Sequence, residues 1–353
     1  MGVRRHPDLT LKEDELLQAA RAGDEDAFRR LVDAHRGQLH AHCYRMLGSV
    51  HDAEDALQDA LLHAWRGLPR FAGRSSLRTW LYKITTNACL DAIARRPKRV
   101  LPMDYGGPSD PHPGPYAPIV ESVWIEPYAD DGVDAGDGST GPEARYEQRE
   151  SVELAFVAAL QHLPAQQRAV LILREVLGFS AKEVADALDS TVASVNSALQ
   201  RARKATDERL PAESQQATLR TLGDERIHEL VERYMRAWEE ADVDAIVALL
   251  TDDATITMPP CPTWFQGRDA VAGFLTAFAF AGEGRRVRLL PTWANGQPAF
   301  GSYRWHEGAR AFEPVSLHVL SLRAGRIQEI NTFVDPTAFG RFGLPERLSQ
   351  PGI

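Results

Sequence analysis

The stretch that decides the reading is residues 180–206, SAKEVADALDSTVASVNSALQRARKAT. Ser180-x-x-Glu183 is a capping-box pattern, so a short helix starts there. Asp189-Ser190-Thr191 supplies turn residues, and a longer helix follows. On that helix the spacing predicts Val192, Val195, Leu199 and Ala202 inward. Ser194, Ser197 and Arg201 form an outward stripe, flanked by Asn196, Gln200, Arg203 and Lys204. Short helix, tight turn and basic-ended longer helix predict a helix-turn-helix. Small residues early and Arg/Lys late suit the major groove of DNA. One more helix, PAQQRAVLILREVLG (164–178), precedes the pair.

Upstream, the composition changes sharply. Residues 100–150 hold eleven Asp/Glu against Arg145 and Arg149, which is the whole net charge of −9. The stretch is Pro/Gly-rich and has neither helical nor alternating periodicity, so 100–145 reads as a linker at a domain boundary. Just before it, residues 73–99 carry seven Lys/Arg against one Asp. The acidic total therefore hides a basic module, and a local patch is what steers binding.

That basic module is helical. In DAEDALQDALLHAWRGL (52–68), Ala53, Ala56, Leu57, Ala60, Leu61, Ala64 and Trp65 recur at helical spacing, opposite Asp52, Asp55, Asp59 and Arg66. SLRTWLYKITTNACLDAIARR (76–96) starts a further helix with Leu77, Leu81, Ile84 and Ala88 as its core stripe. Thr79, Lys83 and Asn87 lie on another face with Trp80 at its edge, and Arg74, Arg78, Arg95, Arg96, Lys98 and Arg99 gather at the ends. An aromatic beside amides and positive charge suits single-stranded DNA, where a base stacks and phosphates are neutralised.

Downstream, a polar break at 211–223 leads to a block of different character. Ile227, Leu230, Val231, Tyr234, Met235 and Trp238 make one amphipathic helix; 243–250 and 267–280 read as two more. DATITMP, RVRLLPTWA, PAFGSYRWHE, PVSLHVLSLRAG and RIQEINTFVD read as strands, so an α+β cone with a curved antiparallel sheet is expected. Three folded blocks result, at 11–99, 146–207 and 224–340, in keeping with 353 residues.

The composition, 44% hydrophobic and 25% charged, is that of a globular chain, and no apolar run reaches the roughly 18 residues of a membrane span. Three scattered cysteines and the lack of an apolar leader point to a reduced, cytoplasmic protein. His35, His40, His42 and Cys43 lack the paired spacing of a zinc site, and Asp244, Asp252 and Asp253 suit helix ends and turns; neither a metal nor a cofactor is called for.

Residues 23–99 resemble region 2 of an extracytoplasmic-function (ECF) sigma factor of the sigma-70 family, and 163–203 resemble its region 4. HCYRMLGS-x-HDAEDA, the linker's VWIEPYADD (123–131) and TVASVNSALQRAR (191–203) resemble the subgroup with a C-terminal SnoaL-like, polyketide-cyclase-like domain. RYMRAWEEADVDAIVALLTDDATITMPP and FQGRDAVAGFL are similar to that domain. The resemblance implies an all-α region 2, a helix-turn-helix region 4 and an α+β SnoaL-like cone. It implies core RNA polymerase, through its β′ clamp and β subunits, and promoter DNA as partners, with no membrane association.

By the same resemblance, Asp52, Asp55 and Asp59 would dock on polymerase. Arg74, Arg78, Trp80, Lys83, Asn87, Arg95 and Arg96 would hold the −10 strand. Thr191, Ser194, Asn196, Ser197, Gln200, Arg201 and Lys204 would read the −35 element. The acidic linker would thread polymerase toward the RNA exit channel. The C-terminal domain would regulate, with a small-molecule ligand in a pocket of Tyr234, Trp238, Trp264, Trp293 and His318. The rival class is a SnoaL-like cyclase or isomerase fused to a DNA-binding regulator, for which His318 with Asn331 or Asp335 is the grouping to name. A plain helix-turn-helix repressor leaves the first block and the linker unexplained.

Overall fold

Three long helices of the N-terminal part start on the caps their sequences supply. Asp24, Ser49 and Ser76 accept the backbone N–H of Ala27, Asp52 and Thr79 at 3.0–3.1 Å. The computed structural model describes residues 7–110, 117–119, 123–130, 148–281 and 286–349. In chain order the helices are α1 (Pro7–Arg21), α2 (Glu25–Leu47), α3 (Val50–Gly67), α4 (Leu77–Arg95), α5 (Pro102–Tyr105), α6 (Leu154–Gln161) and α7 (Ala165–Leu171). A π turn at Ile172–Val176 extends α7; then come α8 (Ala181–Ala187), α9 (Val192–Asp207), α10 (Gln215–Leu222), α11 (Asp224–Glu239), α12 (Val243–Ala248) and α13 (Arg268–Phe274). The strands are β1 (Leu250–Thr257), β2 (Trp264–Gln266), β3 (Val287–Ala294), β4 (Gln297–His306), β5 (Ala311–Arg323), β6 (Arg326–Phe333) and β7 (Leu348–Ser349).

The chain divides into two compact units. The first holds α1–α4 and α7–α9. Its α3 buries Ala53, Ala56, Leu57, Ala60 and Ala64 as the spacing predicts. The stripe of α4 is shifted from the expected one: Leu77 and Leu81 are buried, but Ile84 and Ala88 are only half-buried, and Tyr82, Thr85, Thr86 and Cys89 take the core. Polar atoms make this possible. Thr86 Oγ1 lies 2.9 Å from His42 Nε2, and the Tyr82 ring stands edge-on to His42 and Phe179. Arg168 of α7 is buried too, and its guanidinium donates to the carbonyls of Met46, Gln161 and Leu163 and to Gln161 Oε1. A buried charge whose two terminal nitrogens are both bonded fixes α7 against the end of α2.

The second unit holds α5, residues 149–159, α10–α13 and all the strands. The sheet runs β2-β1-β6-β5-β4-β3, with β7 on β5. It is open, and it is not antiparallel throughout: β1 and β6 pair in parallel. A parallel pair needs a long crossover, and α13 with β3–β5 provides it. Tyr234, Trp238, Ile246, Val271 and Phe274 from the helices pack on Ile256, Phe265, Leu289, Phe300, Leu320 and Ile330 from the strands.

Two expected breaks are structured. The polar stretch before 223 forms α10, whose first N–H groups from Gln215 and Gln216 bond the buried Glu153 carboxylate at 3.0 and 2.7 Å. The first part of the linker belongs to the second unit. Ser109 N–H donates to the Trp264 carbonyl, and Trp264 Nε1 to the Gly106 carbonyl, each at 2.8 Å. Ile119 N–H donates to the Pro260 carbonyl at 3.0 Å, and Ala129 bridges Ala294. Trp124, Ile125 and Tyr128 of VWIEPYADD are buried. Residues 100–110, 117–119 and 123–130 therefore form a strap, not a free tether; the remaining linker positions to 145 lie outside the described residues.

Candidate nucleic-acid interface

Helix α8 begins with the expected reciprocal cap, Ser180 N–H to the Glu183 carboxylate at 2.8 Å and Glu183 N–H to Ser180 Oγ at 3.2 Å. These bonds hold the Glu183 carboxyl below the usual carboxylate range. Asp189 turns the chain at φ 48°, and Thr191 Oγ1 accepts the Ser194 N–H to start α9. Val195, Ala198, Leu199, Ala202 and Thr206 face the core. Ser194, Asn196, Ser197, Gln200, Arg201 and Lys204 are exposed, as is Thr191. Arg203 is tied to Glu175 at 2.8 Å. Val192 does not face inward: it is 44% exposed, because the buried stripe starts one turn in, at Val195.

The residues of α4 are distributed less evenly. Arg74, Asn87 and Arg95 are exposed. Arg78 donates to the Leu177 carbonyl at 3.1 Å and lies over the rings of Tyr82 and Phe179. Trp80 is half-buried, its ring 4.9 Å from that of Phe71. Lys83 Nζ donates to the Asp186 carbonyl at 2.7 Å and to the Asp189 carboxylate at 3.0 Å, and Thr79 Oγ1 donates to Glu183. Between α4 and α8 lies a cleft of about 920 Å³, lined by Arg70, Arg74, Trp80, Lys83, Lys182 and Asp186 among others. Arg96 sits apart from this group, paired with Asp52 and Asp55 of α3.

On α3, Asp55 and Asp59 are exposed while Asp52 is buried under Arg96. Leu62, 54% exposed, adds an apolar group to their face that the periodicity did not single out. The sequence held a signal for it: of the adjacent Leu61 and Leu62, a single stripe can bury only one.

The five residues expected to line a C-terminal pocket do not come together. Tyr234, Trp238 and His318 do: the Tyr234 hydroxyl is 3.0 Å from His318 Nδ1, and the Trp238 ring is 4.7 Å from the imidazole. Ser316 Oγ lies 3.3 Å from Nε2. Burial pushes the His318 pKa down to about 3, so the ring is neutral, one nitrogen donating and the other accepting. Trp264 is spent on Gly106, and Trp293 is 43% exposed on β3. Asn331 bonds Thr257 and Glu329, and Asp335 caps Thr337, so neither completes a catalytic set with His318.

Helical modules with a helix-turn-helix whose second helix presents an exposed polar and basic face, joined to a sheet-and-helix domain, have the architecture of a promoter-recognition factor. Residues 31–99 match the family model Sigma-70 region 2, residues 153–205 Sigma-70 region 4, and residues 231–330 the SnoaL-like domain. The chain is 42% identical to the ECF RNA polymerase sigma factor SigG of Mycobacterium tuberculosis over 336 residues, covering 93% of this chain and 86% of SigG. It is 29% identical to SigW of Bacillus subtilis over 55% of this chain and 94% of SigW. Among solved structures, the ECF sigma factor SigJ of M. tuberculosis shares the fold with a TM-score of 0.55 at 23% identity, covering 89% of this chain and 98% of SigJ. The chain belongs to the ECF RNA polymerase sigma factors, with a C-terminal SnoaL-like domain. It is a transcription initiation factor that works with core RNA polymerase on promoter DNA, and not an enzyme. Among the described residues no helix is long and apolar enough to cross a membrane.

Proposed function

We propose that α9 reads the −35 element through Thr191, Ser194, Asn196, Ser197, Gln200, Arg201 and Lys204, and that α4 holds the −10 strand through Arg74, Arg78, Trp80, Lys83, Asn87 and Arg95. The observation that carries this is the division of α9, from Ser194 on, into a buried inner stripe and an exposed outer face of polar and basic residues. Arg96 serves the set indirectly, through its pairing with Asp52. Asp55 and Asp59, with Leu62 one turn further on, dock core polymerase. The protein acts in the cytoplasm, where polymerase is, and the C-terminal unit regulates the sigma modules.

Run-off transcription with core polymerase tests the assignment. Arg201→Ala is expected to cost about 1–3 kcal/mol at promoters carrying a guanine opposite it, and little elsewhere. Lys204→Ala weakens all promoters alike and lowers the salt slope. Identical promoter profiles for the two variants would reject the division between base reading and phosphate contact.

A further inference from the structure

We propose that Val192 reads a thymine of the −35 element through its methyl group; the proposal rests on α9 being the −35 helix. Apart from the small Ala193 and the half-buried Ala205, the other apolar side chains of α9 are buried: Val195, Ala198, Leu199 and Ala202. Val192 alone among the large ones is presented outward, at 44% exposure. A β-branched residue gains nothing there from helix propensity, and its methyls are left in water.

The surroundings give the exposure a direction. Thr191 Oγ1 accepts the Ser194 N–H, and this cap fixes the first turn and with it the position of Val192. Ala193, also exposed, adds no bulk that would hold the backbone off a groove floor. Beyond this apolar tip come Ser194, Asn196 and Ser197, then the cations Arg201 and Lys204. In a helix-turn-helix the N-terminal residues of the second helix meet base edges, while phosphates are met elsewhere by cations. Of the four base edges in the major groove, only thymine offers a methyl. An apolar tip therefore selects a thymine, by contact rather than hydrogen bonding.

The experiment uses the full chain with core polymerase on a promoter from which it initiates. Each thymine of the −35 element, on either strand, is replaced in turn by 2′-deoxyuridine, which removes only the methyl. At one position the wild type is expected to lose about fourfold in open-complex formation, the factor that burial of one methyl-sized group gives. Val192→Ala loses a similar factor on the unmodified promoter and nothing further from the uridine. Wild type indifferent to every uridine overturns the proposal, and so does a variant that keeps the full uridine penalty. A Val192→Ala loss that is equal on all −35 sequences marks a contact with polymerase instead and also overturns it. Scrambling the whole −35 element separates the two levels: if that leaves the wild type unchanged, the reading of α9 itself fails.

Discussion

Glu153 is a carboxylate in a place that suits its neutral form. Burial lifts its pKa to about 7, although the N–H groups of Gln215 and Gln216 favour the ion and hold the rise in check. The folded chain thus keeps this proton more tightly than the unfolded chain. Its contribution to stability is complete below about pH 4.5 and is lost as pH rises toward 7. His318 has the opposite sign: neutral in the fold with a pKa of about 3, it costs stability as pH falls below 6.5. The two overlap, so the readout is a difference between proteins. Glu153→Gln is expected to lower stability at pH 4.5 by about 1–3 kcal/mol, because an amide NH₂ would face a backbone N–H. Against wild type, that deficit narrows as pH is raised from 4.5 to 7, as calorimetric unfolding of the full chain would record. A deficit constant across this range would count against the buried proton.

At the scale of elements, the β3–β4 hairpin does more than reverse the chain. Asn295 and Gly296 take φ 56° and 67°, the left-handed pair that a two-residue turn of twisted strands requires. The Asn295 side chain accepts the Tyr128 N–H at 2.9 Å and donates to the Val152 carbonyl at 2.7 Å. Gly296 N–H donates to Asp130, and a side chain at position 296 would meet Gln216 Nε2 at 2.8 Å. One turn thereby ties down two segments more than 140 residues away in sequence. Asn295→Ala strands two buried backbone groups, at about 1–3 kcal/mol each, and strains the turn. Limited proteolysis should then cut between 97 and 130 several-fold faster than in wild type; unchanged cleavage would mean the strap is held by other contacts. Elements of this kind were not legible in the sequence. The helix-turn-helix was, because a capping box and a 3.6-residue period are local signals. The strap buries Trp124, Ile125 and Tyr128 without any period, and α10 is fixed by Glu153, 62 residues earlier. β2 spans only three residues. Val192 was misassigned because a stripe read from spacing extends into the first turn, whereas burial begins at Val195. Among the residues proposed to touch DNA, the outward position of those on α9 was legible from periodicity. The five-residue pocket was not, because strand parity says which face a residue takes but not what meets it there.

Over the whole molecule, a net charge of −9 coexists with a DNA-reading surface because opposite charges are kept in separate stretches of chain. In the first unit some of that positive surface is already answered from within: Lys83 by Asp189 and the Asp186 carbonyl, and Arg78 by the Leu177 carbonyl. An exposed pair such as Lys83–Asp189 is worth no more than about 1 kcal/mol. Its consequence is ionic. DNA binding releases the counter-ions condensed on each neutralised phosphate, which is why affinity falls as salt rises. On the proposed −10 role, Lys83 must first leave Asp189, and the bared carboxylate then recruits a cation from solution. Uptake at the protein offsets part of the release from DNA. Wild type should therefore show a shallower log–log dependence of promoter opening on salt than Asp189→Asn, by up to about 0.7 for one single-strand phosphate contact. Equal slopes would mean that the pair survives on DNA; a steeper variant would make the protein's own carboxylates a buffer that steadies promoter use against changing ionic strength.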